Sequence, residues 1–563
     1  AASDGVSRPK SRLSARERWS RRLVLPTLFC FTGSMVVAPT AQAVITNPLI
    51  TAAGVQGSIA ALRANLTSLQ LAISNAINFS GGLHVISVGV ESGSTYPWEG
   101  SISTGSGVVN TGNGNKLTSV PIVGWTARGG LPVAMTLNHN SQSSHNSELG
   151  YKWTHSYDIY LATDPDTGAI SVHWGDDLSY PLTHNLDGTW SGPTGIYDKM
   201  VANTTGGVVT SYDLTTKSNI KYHFTNPNGT SWLCATISDL NGNTLTIAHN
   251  ASDYVTSITD ANSRAITLGY NGSNQITSIT DPLSRTWSIS YTSSNLTQIT
   301  YPTVSGSTYN EQFAYNSAHD ITTFTDKRGN AWTYSYDAGD NSLSWEKDPY
   351  SNQTSYTYNT GVTTVTDPNG NTTKHNYSSG MLSSITDALN NNETYSYDGS
   401  KNRTSVTDRR GKITTFTFDS KGNVLTKTDP LSHVTTMTYN SKNQPLTVTS
   451  SMGYYVTNTY DANGNLTQTV ERDAGATTLS TTSYTVNGYG LVTAKTDSNS
   501  HVTSYSYGTN GDLTSVTTPN GRVTSFTVNS LGVKTGRTDA LSRSTSYTLD
   551  NWKVAVRIQY VIL

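Results

Sequence analysis

The sequence predicts an all-β protein in which tandem β-hairpins pair edge to edge into one curled, spiralling antiparallel sheet. An irregular β domain and one helix are predicted ahead of the hairpins. Three observations carry this reading. A degenerate unit of about 21 residues recurs through the C-terminal part of the 563-residue chain, as in YSYDGSKNRTSVTDRRGKITTF followed by TFDSKGNVLTKTDPLSHVTTM. Within a unit, aromatic and apolar residues stand two apart, which places them on one face of a strand. Between the runs stand turn formers, Gly-Asn and Asp-Pro, at fixed positions.

The first 43 residues read as a secretory signal. Arg8, Lys10, Arg12, Arg16, Arg18, Arg21 and Arg22 precede an apolar run from Leu23 to Ala38, and Ala41-Gln42-Ala43 supplies a small-x-small cleavage site, with Ala41 and Ala43 at the small positions. A transmembrane anchor is disfavoured because Pro26, Gly33, Ser34 and Pro39 interrupt a run already short for a span. The expected location is secreted or cell surface, with no integral membrane segment in the mature chain. This segment holds seven of the 36 basic and two of the 38 acidic side chains, so the remainder carries 29 against 36, a net charge of −7. Such a balance lacks the basic footprint of a nucleic-acid partner. Cys30 leaves with the signal and Cys234 remains alone, which excludes an intrachain disulfide and marks Cys234 as a core residue.

Residues 44–82 are predicted as a helical linker, because Ile59, Leu62, Leu66, Leu69 and Ile73 recur every three to four positions within 49–78. Residues 83–235 read as irregular β, with strands broken by Gly, Pro and Asn. Six of the eleven tryptophans fall there, and Trp125, Trp153, Trp174 and Trp190 are candidates for stacking on sugars, with packing as the competing role.

The array is predicted over 236–563. The Asp that closes the first run of a unit falls at Asp239, Asp260, Asp281, Asp326, Asp348, Asp367, Asp387, Asp408, Asp429, Asp497 and Asp539. Where it is lost the phase survives, with Ser450 lying 21 residues after Asp429 and Thr518 lying 21 after Asp497. Pairs such as Tyr356 and Tyr358, Tyr395 and Tyr397, and Phe416 and Phe418 mark one sheet face, while Thr and Ser between them suit a wetter one. Each unit is one hairpin. A free sheet of so many strands must curl, into a spiral or alternatively a β-propeller. A propeller needs a four-strand superperiod of two units, and adjacent units are as alike as alternate ones, which favours the spiral. The last unit, STSYTLDNW, runs into KVAVRIQYVIL without the Gly-Asn or Thr-Asp steps, and the chain begins with Ala; both ends read as incomplete.

The units closely resemble YD repeats of the RHS type, named for the opening Tyr-Asp. It stands here as Tyr336-Asp337, Tyr397-Asp398 and Tyr460-Asp461, with Phe418-Asp419 and Tyr439-Asn440 as variants. The segment from Gly150 to Leu161 also resembles the domain that precedes such repeats in bacterial RHS-like proteins. The resemblance implies a spiralling β-sheet shell, which in several members encloses a C-terminal polypeptide, often a toxin, and in others serves adhesion or carbohydrate binding. The core-closing Asp-Pro-x-Gly-Leu-like motif of toxin-bearing relatives is missing before Leu563, and no stretch of this sequence reads as an effector.

Other chemistry is weaker. Asp461-Ala462-Asn463-Gly464-Asn465 begins like a calcium loop, but the twelfth position is Arg472 instead of a carboxylate. His139 and His145 lack a third ligand for zinc. Copies of one group in tandem argue against catalysis, which needs unlike groups converging once. The sequence therefore predicts a non-enzymatic, exported scaffold without cofactor or metal, whose partner is a C-terminal effector polypeptide or, alternatively, a cell-surface or cell-wall glycan.

Overall fold

The computed structural model describes residues 96–227, 229, 231–304, 306–549 and 555–561. The signal-like segment with Ala41 and Ala43 and the expected helix at 49–78 lie outside them. Among the described residues the only helix is a single 3-10 turn, Arg128–Gly130, and none is long and apolar enough to cross a membrane.

Two sheets organise the chain. Ser101–Thr104, Gly107–Asn110, Lys116–Thr126, Pro132–Asn140 and Trp153–His155 form a five-stranded antiparallel sheet in that order. A much longer sheet then starts at Tyr160–Thr163 and adds each following strand beside its predecessor as far as Ala555–Val561. Its first winding closes on itself. Trp232 and Leu233, opening the strand Trp232–Ser238, pair back to Leu161 and Tyr160, while Thr236, Ile237 and Ser238 pair forward to Thr246, Leu245 and Thr244. The ribbon thus completes a ring of eight strands, passes its own beginning and continues as a spiral. The pairing is not divided into four-stranded blades, so a propeller is not formed. The boundary read at 235/236 marks where the units become regular in sequence. The sheet itself begins at Tyr160, with strands of uneven length that lack the period.

The repeat explains its own residues. Most hairpins carry a bulge just before the Tyr of the Tyr-Asp step, for instance between Ser396 and Tyr397, although the hairpin of Tyr358 pairs without one. Ladder pairing between neighbouring hairpins stops at Ser384 and Thr394, short of that Tyr. The Tyr397 hydroxyl replaces the missing rung by donating to the Leu382 carbonyl 15 residues earlier, at 2.9 Å. Tyr358, Tyr460 and Tyr507 make the same bond to Leu343, Pro445 and Val492. Phe418 cannot, and Tyr439 turns instead to the Met437 sulfur. Tyr397→Phe is therefore expected to lower the unfolding free energy by about 1 kcal/mol with the fold intact, measured by chemical denaturation. Phe418→Tyr provides the converse test, with a gain in stability as the expected sign.

The aspartates are turn caps. Asp398 Oδ1 accepts the backbone N–H groups of Ser400 and Asn402, both at 2.9 Å, and its Oδ2 accepts from the Asn402 side chain at 3.0 Å. The residue before Asn402, Lys401, takes a left-handed φ of 60°, the conformation that Gly supplies in other turns. Asp461 makes the same three bonds, to Asn463 and Asn465, so the carboxylate of the calcium-loop lookalike is fully used by its own turn.

Candidate functional site

The two turns of a hairpin lie on opposite edges of the ribbon and have different environments. Turns opened by Tyr-Asp and its variants face the preceding layer of structure. The turn of Tyr336-Asp337 meets the five-stranded sheet, where Leu343 N–H donates to Gly114 O and Ser141 Oγ donates to Asn341 O. Beyond Asp398 the same series meets the first winding. Tyr197 Oη donates to Asn402 Oδ1, Lys217 Nζ to Gly422 O, and Asn241 exchanges two side-chain bonds with Asn465. A Cβ on Gly422 would stand 2.4 Å from the Tyr197 ring, so the close approach and the φ of 72° both require glycine there. The Thr-Asp turns, at Asp387, Asp408 and Asp429, lie on the other edge and their turn residues are exposed.

Of the repeat-defining residues, Tyr336, Asp337, Tyr397, Asp398, Phe418, Asp419, Tyr439, Tyr460 and Asp461 therefore all belong to the edge that stacks one layer on another. Their period was legible in the sequence. Their partners, some 200 residues earlier, carried no local signal.

The match between windings is two to one. The turn Thr216–Ile220 contacts Gly422 and also Lys442 and Asn443. The turn at 239–243 contacts Asn465 and Tyr489, and the turn at 260–264 contacts Thr509 and Ser530. Each of these three turns thus seats two turns of the layer that follows. The second winding has the larger circumference, and the wall widens away from the closed ring.

Burial follows that geometry. Inward side chains of the first winding and the strands after it are packed, with Leu245, Ile258, Ile266, Ile279, Leu296 and Ile299 fully or almost fully buried. In an antiparallel pair directly opposed residues share a face. Following opposed pairs outward from buried Tyr356 leads through Val365 and Ile385 to Tyr395, Phe416 and buried Met437, and on to Tyr484, Tyr505 and Phe526. From Tyr395 onward most of these inner residues are only half-buried. The outer positions of the same strands are largely Ser and Thr, as in the row Ser405, Thr415 and Thr428.

The five-stranded sheet is joined to the wall by buried polar contacts. Lys152 Nζ meets Asp320 at 2.6 Å and Lys116 Nζ meets Glu346 at 3.3 Å. Burial works to lower the Lys116 pKa and to raise that of Asp320. Between the outer strand Ser101–Thr104 and the wall lies a cleft of about 500 Å³ lined by Trp332, Glu346, Tyr350 and Tyr356. Near the start of the spiral, His155 and Glu148 form a buried pair at 2.8 Å. Burial alone would lower the His155 pKa, but the hydrogen bond and charge of Glu148 raise it.

The tryptophans proposed for sugar stacking need correction. Trp125, Trp153 and Trp174 are 5%, 0% and 3% exposed, so they offer no ring face to a ligand. Trp125 Nε1 donates to Asp260 and Trp153 Nε1 donates to Tyr315 Oη, which makes both of them struts between the five-stranded sheet and the wall. Trp190 is half-buried, edge-on to Tyr212 and against His184. Cys234 is buried and burial pushes its thiol well above the usual range. Among the described residues no three His, Cys, Asp or Glu side chains cluster as a metal site would require. His139 is held at the His319 carbonyl, and burial lowers its pKa to about 3.

Known proteins were compared with the chain. The family model "RHS Repeat" matches residues 239–286, 397–434 and 486–523, and a domain of unknown function, DUF6531, matches residues 106–181. No curated protein matches. Among solved structures, the Photorhabdus luminescens Tc holotoxin pore with the TccC3-D651A mutation is similar over 77% of this chain and 27% of that one, at 11% identity and a TM-score of 0.45. A TcdB2-TccC3-TEV structure is similar over 76% and 28%, at 10% identity and a TM-score of 0.44. The chain thus spans less than a third of the length of these two.

Proposed function

The chain is an RHS-repeat protein, and on that premise we propose that its spiral wall is an exported, non-enzymatic container that encloses a polypeptide effector. The observation that carries this reading is the contrast between windings. The first winding is narrow and filled by its own side chains. The second seats two turns on each of three earlier turns and leaves aromatic side chains half-covered on its inner face. Exposed apolar surface of this kind marks a binding face, and a concave one suits an occupant inside the wall. The signal-like residues 1–43, with cleavage after Ala43, support export to the surface or medium.

Fusing a flexible, protease-sensitive reporter peptide after Leu563 tests the enclosure. Protection of the reporter in the folded protein, lost on denaturation, together with a hollow widening body in electron micrographs, is the expected result. A reporter cut as fast as the free peptide would overturn the reading. Cell fractionation and N-terminal sequencing test export; a mature chain that still begins at Ala1 in the cytoplasm would remove it. A glycan adhesin is left with Trp190 as its one half-exposed candidate ring, and is the weaker reading.

A further inference from the structure

The inner and outer faces of the second winding differ in charge as well as in aromatic content. On the inner face Lys427 is opposed to Phe416, Lys495 to Tyr484 and Arg537 to Phe526. Arg403 and Lys534 join them, with the Arg403 guanidinium 4.4 Å from the Tyr395 ring centre and the Lys534 ammonium 3.9 Å from that of Phe526. None of these five cations forms an ion pair among the described residues. Two inner carboxylates stand against these five cations. Glu393 accepts the Tyr395 hydroxyl at 2.8 Å, and burial raises the pKa of Glu471. The outer strand positions from Thr394 to Thr538 are almost all Ser, Thr or apolar; the cation among them, Arg472, donates to Thr457. A chain with a formal net charge of −2 has therefore gathered unpaired positive charge on the concave side of its wall.

We infer that the inner face of the second winding is a docking surface for an acidic, aromatic-tolerant segment of extended polypeptide. The inference rests on the container reading above and names the class of occupant. Cations held in a concave, partly desolvated surface attract an opposite charge more strongly than cations on an open one. Their placement beside rings lets them be held by ring quadrupoles until a carboxylate arrives. An extended peptide presents side chains to one side at every second residue, the same alternation that sets the wall's own residues. Single-stranded nucleic acid is the other polyanion with an affinity for basic and aromatic surfaces, but it binds by stacking bases on open ring faces. Here Arg403 and Lys534 cover the faces of Tyr395 and Phe526, so the peptide is favoured.

The test uses the whole chain and three labelled probes of equal length: poly-glutamate, poly-lysine and oligo-deoxythymidylate, with binding read by fluorescence anisotropy. Poly-glutamate is expected to bind and poly-lysine not. A Lys427→Gln, Lys495→Gln, Arg537→Gln variant is expected to bind poly-glutamate at least about tenfold more weakly. Salt of about 1 M, where the Debye length falls to about 3 Å, should abolish binding. On the outer face Lys374 is opposed to Thr364 and Thr386; the pair Lys374→Gln, Arg472→Gln should leave binding unchanged, and a Lys427→Arg, Lys495→Arg variant should retain it, which separates lost charge from lost fold. No poly-glutamate binding, equal binding of poly-lysine, no loss in the inner-face variant, equal loss in the outer-face pair, or tighter binding of the oligonucleotide would each overturn the inference. Protection of the fused reporter that ignores inner-face charge would end this inference and leave the container standing. Poly-glutamate binding without any protection would do the reverse.

Discussion

An Arg264→Ala variant is expected to lose about 3–5 kcal/mol of stability, the scale for removing one partner from a buried ion pair. Arg264 joins three layers. Its Nε donates to Asp260 Oδ2 at 2.7 Å, one terminal nitrogen reaches Thr126 O at 3.1 Å, and the other reaches Ser530 O at 3.3 Å. Asp512 lies 3.8 Å from the same guanidinium, and the Trp125 ring centre lies 5.6 Å away. Burial works against the charge of Asp260, but the bonds from Trp125 and Arg264 hold its carboxyl below the usual range. Alanine would leave two carbonyls inside the wall without this donor and the buried Asp260 carboxylate without its counter-charge, with only Trp125 and backbone N–H groups still donating to it. The expected readout is a lower denaturation midpoint with new proteolytic cuts near Thr509 and Ser530, where the second winding loses its seat. Arg264→Lys should recover part of the loss, since an ammonium keeps the charge but cannot span three acceptors in a planar fork. A midpoint unchanged in the alanine variant would show that the windings are not held by this contact.

The second large effect is expected in acid. Stability should change little between pH 7 and 5 and fall steeply below about pH 4, as thermal midpoints across a pH series would show. The turn aspartates Asp326, Asp348, Asp367, Asp387, Asp408, Asp429, Asp461, Asp497 and Asp539 are all held below the ordinary aspartate range. In the mostly exposed turns the main cause is the bonds that their ionised oxygens accept. A carboxyl with a lowered folded pKa contributes stability that is present above the unfolded value and lost as pH falls through the folded one. The loss is repeated in turn after turn.

Between pH 7 and 5 the shifts oppose one another. Burial raises Asp158 and Asp198 to about 6, and such groups gain stability as pH falls. Burial lowers His139 to about 3 and His375 to about 4, and these lose stability over the same range. Below about pH 4 the aspartates have no comparable opposition. A midpoint that held steady to pH 2 would contradict the assignment of these residues as ionised caps.

The repeated half of the fold was legible because its determinants are local. Alternating aromatics set strand faces, and an Asp with Gly or Asn three residues on sets a turn, whatever lies farther along the chain. The spiral was legible for the same reason, since identical hairpins have no means of breaking into blades. The start of the sheet at Tyr160 was not, because the strands from Tyr160 to Ser238 are paired without the period that identifies their successors. Three of the four candidate tryptophans, Trp125, Trp153 and Trp174, misled for a related reason. Their sequence surroundings give the ring but not its cover, and the cover of Trp125 and Trp153 comes from Asp260 and Tyr315, more than 130 residues away. The inner cations were in view in the sequence, but their meaning needs the register that puts Lys427 opposite Phe416 and leaves the outside to threonine.

The unequal seating of the two windings makes the wall work as a vernier. Removing one 21-residue unit between Gly422 and Asn465 would not merely shorten the array. It would slide every later turn to its neighbour's seat, so that the partner of Asn241 would become the turn now used by Asn243, and Arg264 would face a stretch lacking the Ser530 carbonyl. Repeat number in this sector is thus fixed by stacking between layers and not by hairpin pairing, which would accept any number. Units lying on a rim without a layer beyond it carry no such count, and there the array is free to lengthen.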